Sequence, residues 1–189
     1  MSPLEELIRA TIKKPLQKEI EAIEGIFVKR TFKKGELFKK GGATSKRLAF
    51  ITQGSARHYL LTPKGDDITT LIVEKYNFVA DLISVRQKNP NPIEIEFLED
   101  TAAMVTSISK HMQLLEENLA YNILIREHLA DRTAEFSKRQ ILFLTGTAKE
   151  RYEYIIENDP DIIKKFPLKF IATMIGITPT QLSRLRNKK

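Results

Sequence analysis

The sequence has no cysteine among its 189 residues. Disulfides, thiolate nucleophiles, cysteine-ligated zinc and iron–sulfur clusters are therefore excluded, and with them a thiol-based redox sensor. No apolar run approaches the ~18 residues of a membrane span, and the amino-terminal Ser2-Pro3-Leu4-Glu5 lacks the basic-then-apolar order of a secretory signal. We therefore expect a soluble, cytoplasmic protein without a membrane partner.

Positions 162–189 contain no acidic residue. The seven Lys and Arg residues in this segment carry a charge of +7, which equals the net charge of the whole chain. The other 24 basic residues match the 24 acidic ones. A positive charge confined to one segment is typical of a module that binds polyanions. The alternative is a solvated basic tail, but the helical signals described below favour a folded segment.

Residues 1 to 25 predict two short helices, and residues 26 to about 107 predict an antiparallel β domain. Ser2, Pro3 and Glu5 make a capping signal for the first helix, and Pro15 begins a second one that Gly25 can stop. The β-rich runs are 26–32, 48–52, 56–61, 68–73 and 102–108. The clearest hairpin joins the third and fourth runs across 63–67, where Pro and Gly occupy turn positions.

A long helix is predicted at 118–145, because no proline or glycine interrupts this region. Its apolar arc covers roughly 180°, whereas one core face needs only ~100°. The arc contains Leu119, Ile123, Ile125, Leu129, Ala130, Thr133, Ala134, Phe136, Ile141, Phe143 and Leu144. We therefore predict that one side packs on the β domain and the other meets a second subunit; a central core helix of one globule is the alternative. The predicted dimer interface is Leu119, Asn122, Ile125, Arg126, Leu129, Thr133 and Phe136.

The basic segment has the spacing of a helix-turn-helix. Ala172 allows two helices to cross closely, Gly176 supplies a left-handed turn, and Leu182 locks the second helix onto the first. Thr178 and Gln181 form a capping box that places the start of the second helix.

The second helix is predicted to read DNA in the major groove. Arg184 is the best candidate reader, because an arginine offers a bidentate fork to guanine O6 and N7. The predicted DNA-binding residues are Lys169, Thr178, Thr180, Gln181, Ser183, Arg184, Asn187 and Lys188, and Lys169, Lys188 and Lys189 are assigned to phosphates.

The order of these elements resembles the cyclic-AMP receptor (Crp/Fnr) family of bacterial transcription regulators. The matching stretches are 32–38, 51–56 and, most specifically, 176–184. The resemblance implies an α+β fold: an antiparallel β-roll, or cyclic-nucleotide-binding-like jelly roll, with flanking helices, a long dimerisation helix and a carboxy-terminal helix-turn-helix. The implied divisions are 1–117, 118–145 and 146–189. It also implies a homodimer on an inverted repeat of double-stranded DNA, with RNA polymerase as a further candidate partner. Pro179 and Thr180 replace the family's Arg-Glu pair, so a different target sequence is expected.

The effector cassette implied by the resemblance departs from the family pattern. Its candidate residues are Val79, Ala80, Asp81, Leu82 and Arg86. Ala80 adds a Cβ where family members have glycine, and Asp81 is one methylene shorter than the glutamate that takes the ribose hydroxyl. Glu99 and Asp100 stand where an arginine would pair with phosphate, although Arg86 or Lys88 offers a substitute. The sequence thus disfavours cyclic AMP; the effector is another small molecule or none, and no cofactor is predicted.

Two other function classes remain as alternatives. A cupin-like metal enzyme would need clustered ligands, but His58, His111 and His128 have no paired spacing, so no metal site and no enzyme is predicted. A cyclic-nucleotide-type sensor that acts through protein partners is the second alternative, and the basic helix-turn-helix argues against it.

Overall fold

A computed structural model describes residues 1–187. The strands in this range are β1 Val28–Phe32, β2 Leu37–Lys39, β3 Arg47–Gln53, β4 Ser55–Leu61, β5 Asp67–Glu74, β6 Phe78–Val79, β7 Glu94–Phe97 and β8 Thr101–Ser107. The helices are α1 Pro3–Thr11, α2 Gln17–Gly25, α3 Leu82–Gln87, α4 Ile108–Glu117, α5 Leu119–Thr145, α6 Ala148–Asn158, α7 Ile162–Lys165, α8 Leu168–Met174 and α9 Pro179–Arg186. None of the helices described is long and apolar enough to cross a bilayer.

The strands form two four-stranded sheets with the orders β1-β8-β3-β6 and β2-β7-β4-β5. β8 pairs antiparallel with both β1 and β3, so it is a central strand of the first sheet. Residue Gly54, between β3 and β4, has φ +94°, and a Cβ there would lie 2.9 Å from Thr101 Cα. Glycine is therefore required where this turn passes close to β8. The predicted α+β fold with a β-roll is confirmed.

The chain divides into two compact units. The first contains 1–58 and 72–130, and its core joins α1, α2, α4 and the start of α5 to the first sheet through buried residues such as Ile8, Ile23, Phe50 and Tyr121. The second contains the hairpin tip 59–71 together with the chain from Asp131 onward. The division at 1–117, 118–145 and 146–189 stays a prediction.

The predicted first helix is confirmed, because the Ser2 side chain accepts a hydrogen bond from the Glu5 N–H at 3.0 Å and Pro3 is the first residue of α1. The second helix begins at Gln17, two residues after the predicted start at Pro15. Three short strands, β2, β6 and β7, were not predicted. The last predicted strand also ran one residue too far, because Ile108 begins α4 after Ser107 caps it.

Candidate nucleic-acid interface and effector cassette

The turn of the helix-turn-helix lies at Gly176, between α8 and α9. Gly176 has φ +68°, and an added Cβ would lie 2.8 Å from Phe143 Cε1. Ala172 and Leu182 are fully buried where the two helices meet. The predicted spacing of small residue, glycine and leucine is therefore present in the structure, and Phe143 adds a steric reason for glycine that the sequence did not reveal.

The start of α9 is fixed by a reciprocal pair of hydrogen bonds. The Thr178 hydroxyl oxygen accepts from the Gln181 N–H at 3.1 Å, and the Gln181 side-chain oxygen accepts from the Thr178 N–H at 2.8 Å. Both side chains are exposed, but these oxygens already have partners within the helix. Thr178 and Gln181 thus define where α9 begins and which residues its outer face presents.

The outer face of α9 is polar and exposed. Its predicted DNA-binding residues are Thr180, Ser183, Arg184 and Asn187, which are all exposed to solvent. Arg184, Gln181 and Asn187 also line an open cavity of about 420 Å³ together with Ala148 and Leu185. Lys169 is exposed on α8, whereas the predicted contacts Lys188 and Lys189 lie outside the described residues.

Part of the positive charge of this segment is matched by nearby carboxylates. Lys164 Nζ lies 3.0 Å from Asp161 Oδ1, and Lys165 Nζ lies 3.8 Å from Asp159 Oδ1. The hydrogen bond from Lys164 lowers the pKa of Asp161. Both acids immediately precede the acid-free segment, so a count that starts at residue 162 overstates the free positive charge.

The candidate effector residues differ in their exposure to solvent. Val79, Ala80 and Asp81 are buried, while Leu82 and Arg86 are exposed on α3. Asp81 caps α3 by accepting a hydrogen bond from the Ser84 N–H at 3.2 Å. The structure therefore gives Asp81 a role within the chain itself.

A buried ion pair holds Asp81. Lys39 Nζ lies 2.9 Å from Asp81 Oδ2, and the two side chains are 3% and 2% exposed. Burial by itself would raise the pKa of Asp81, but hydrogen bonds from Lys39 and Ser84 bring it below its ordinary value. Lys39 Nζ also donates to the carbonyl oxygens of Asn91 at 2.9 Å and Ile93 at 2.6 Å. The ammonium of Lys39 thus donates to two backbone carbonyl oxygens and forms an ion pair with Asp81.

The two acidic residues before β8, Glu99 and Asp100, form hydrogen bonds with other residues of the chain. Glu99 accepts a hydrogen bond from the Ser55 hydroxyl at 2.7 Å, and Asp100 accepts from Lys33 Nζ at 2.8 Å and from the Lys34 N–H at 3.0 Å. The Lys33 hydrogen bond lowers the pKa of Asp100. These carboxylates stabilise the corner between β7 and β8.

Aromatic rings fill part of the space between the two sheets. Phe32 on the first sheet stacks on Phe97 of the second, with ring centroids 4.3 Å apart, and Phe38 packs edge-on against both rings. These three side chains are buried. This part of the β-roll interior is therefore occupied by the chain's own side chains.

Most side chains of the predicted dimer interface on α5 are exposed in the single chain. Leu119 and Phe136 are 73% and 66% exposed, and Leu129 is also exposed. The polar residues of the predicted interface that are exposed as well are Asn122, Arg126 and Thr133. Ile125 departs from this set: it is buried in the core of the first unit. Its assignment to a dimer interface stays a prediction, and in a single chain its side chain is only 7% exposed.

The three histidines do not converge. His111 Nδ1 lies 2.8 Å from the Tyr121 hydroxyl in the core, and the His128 ring packs edge-on against Phe78 with centroids 5.1 Å apart. Burial lowers the pKa of His111 to about 4. Among residues 1–187 no group of three or more His, Asp or Glu side chains could hold a metal ion.

Comparison with solved structures finds the same fold in bacterial regulators. The chain is similar to the c-di-GMP responsive global regulator CLP of Xanthomonas campestris, with a TM-score of 0.71, 11% identity and 90% of each chain covered. It is similar to a CooA variant from Carboxydothermus hydrogenoformans, with a TM-score of 0.71, 17% identity, and 96% of this chain and 86% of that one covered.

A transcriptional regulator of the Crp/Fnr family from Eubacterium rectale gives a TM-score of 0.69 at 15% identity, with 92% of this chain and 83% of that one covered. Neither a family model nor a curated protein sequence matches the chain. At these identities the comparisons establish that the chain has the fold of the Crp/Fnr regulators.

Proposed function

We propose that this protein is a sequence-specific DNA-binding transcription regulator of the Crp/Fnr type. The observation that carries the proposal is the exposed polar face of α9, on which Arg184 stands on a helix whose start is fixed by the Thr178–Gln181 pair. No acidic residue occurs on α8 or α9. Such a face suits the major groove, where side chains of a recognition helix read base edges. A protein that acts on chromosomal DNA would work in the cytoplasm.

The regulator is proposed to act as a homodimer through α5. Exposed Leu119, Leu129 and Phe136 give this helix an apolar surface that a second copy would cover. Two recognition helices related by a dyad would enter successive major grooves about 34 Å apart, so the site should be an inverted repeat. RNA polymerase is a further candidate partner of a protein bound beside a promoter.

Control by cyclic AMP is not part of the proposal. The Lys39–Asp81 pair supports this reading, because the carboxylate expected to face a ribose is already paired with a buried ammonium, which also donates to two backbone carbonyl oxygens. We infer that the β-roll either senses another small molecule or serves as a scaffold. We also infer that the protein is not an enzyme.

Selection from a random pool of duplex DNA tests the proposal. The wild type should enrich an inverted repeat, and Arg184→Ala should lose about 1 to 3 kcal/mol of binding and relax preference at one base pair per half-site. Arg186→Ala is the matched control, because this exposed arginine lies two positions along the same helix, ~200° around its axis. Unchanged specificity in Arg184→Ala would contradict the assignment of α9. A wild type that enriches no sequence would favour the sensor that acts through protein partners.

A further inference from the structure

The tip of the β4–β5 hairpin belongs to the same compact unit as the helix-turn-helix. The Thr69 N–H donates a hydrogen bond to Thr173 Oγ1 at 3.1 Å, and Thr69 is 1% exposed. Thr173 lies on α8, where its hydroxyl also bonds to the carbonyl oxygen of Lys169 at 3.1 Å. A part-buried hydrogen bond from a backbone N–H to a side-chain hydroxyl thus joins the hairpin to the first helix of the DNA-binding motif.

This attachment places a carboxylate beside a cation that is assigned to DNA. Asp67 Oδ2 lies 3.9 Å from Lys169 Nζ, with the carboxylate side chain 17% and the lysine 59% exposed. Thr69 is two residues after Asp67, and Thr173 is one helical turn after Lys169, so the hydrogen bond and the ion pair lie side by side on the two elements. The position of Asp67 is therefore set by the part-buried contact.

The ammonium of Lys169 cannot pair fully with the Asp67 carboxylate and with a DNA phosphate at the same time. A phosphate that approached Lys169 would displace the carboxylate from the ammonium, and it would also be repelled by the negative charge of Asp67. Both effects oppose DNA binding, and both weaken as salt screens the charges. Neutralising Asp67 would remove both of them.

We propose that Asp67 is a built-in brake on DNA binding, in which its carboxylate competes with the DNA phosphate for Lys169. The inference rests on the proposed function, because it needs Lys169 to contact DNA. It adds a residue from the β-rich part of the sequence to those that set DNA affinity.

Fluorescence anisotropy with a labelled, mixed-sequence DNA duplex tests the brake at several salt concentrations. Asp67→Asn should tighten binding about two- to fivefold at low salt, the range expected for a partly exposed ion pair. On a Lys169→Gln background the same substitution should change affinity much less, because the competed cation is gone. Thermal unfolding of each variant, followed by circular dichroism, confirms that it is folded.

Asp66→Asn is the matched control, since Asp66 is the exposed neighbour in the same hairpin and bonds to Thr62 within the turn. It removes the same charge and should leave affinity unchanged. An equal increase in DNA affinity in Asp66→Asn would show a general charge effect and overturn the inference. Unchanged or weaker DNA binding in Asp67→Asn would overturn it as well. A wild type that binds no DNA would overturn the proposed function, and the brake with it.

Discussion

Lys39 and Asp81 form an ion pair across 2.9 Å inside the β-roll, with both side chains almost completely buried. Lys39 is the last residue of β2 and Asp81 caps α3, so the pair joins two elements that are distant along the chain. Taking two charges out of water is costly, and the carbonyl oxygens of Asn91 and Ile93 offset part of that cost. The cassette that the resemblance assigns to an effector is thus held together by the chain's own charges.

Cyclic AMP should bind weakly or not at all. A nucleotide that used Asp81 would have to break the Lys39 contact, and each charge-assisted hydrogen bond lost is worth ~1.5 to 3 kcal/mol. Titration calorimetry should therefore find no dissociation constant below ~10 micromolar for the wild type, since every 1.4 kcal/mol is about tenfold in affinity. Tighter binding would refute the argument and would point to Arg86 or Lys88 as phosphate ligands.

Lys39→Met should destabilise the β-roll by about 3 to 5 kcal/mol, because it leaves the Asp81 carboxylate buried without its cation. Chemical denaturation followed by circular dichroism measures the free energy of unfolding. Lys40→Met is the control: this exposed neighbour loses the same charge and should change stability by less than about 0.5 kcal/mol.

The double variant Lys39→Met/Asp81→Asn sharpens that measurement. An asparagine can still accept the Ser84 N–H bond and carries no charge, so part of the lost stability should return. If the double variant is less stable than Lys39→Met alone, the cost does not come from an unpaired carboxylate.

The helix-turn-helix could be predicted to the residue because its signals are local. Capping by Thr178 and Gln181, and the left-handed turn at Gly176, depend on neighbours within a few positions. The short strands β2 and β6 carry no such pattern, because three or two residues are too few to show alternation. Pairing with a neighbouring strand defines them instead.

Long-range contacts account for what the sequence did not reveal about the candidate site. A lysine is rarely buried, so nothing in the sequence around Lys39 indicates its pairing with Asp81. Asp67 is the first residue of β5, and its sequence neighbours give no sign of its contact with Lys169. The helical wheel of α5 gave the width of the apolar arc but not which of its side chains pack into the chain's own core, as Ile125 does.

Leu129→Lys should convert the protein to monomers if α5 forms the dimer interface. The side chain is partly exposed in one chain, and a second copy would bury the new charge without a partner. Light scattering should give a mass near twice 21.7 kDa for the wild type at micromolar concentration and near 21.7 kDa for the variant. Ser137→Lys, at an exposed position on the same helix, is the control for added charge. A monomeric wild type would contradict the proposed dimer.

The buried His111–Tyr121 pair should make stability depend on pH between about 6.5 and 4. Burial lowers the pKa of His111 to about 4, whereas a histidine in the unfolded chain has a pKa near 6.5. Below pH 6.5 the unfolded chain binds the extra proton, so stability falls with pH and loses roughly 3 kcal/mol by pH 4. Urea unfolding at several pH values measures this loss. His111→Gln should flatten the dependence and His128→Gln should not; equal slopes in all three proteins would show that other groups control it.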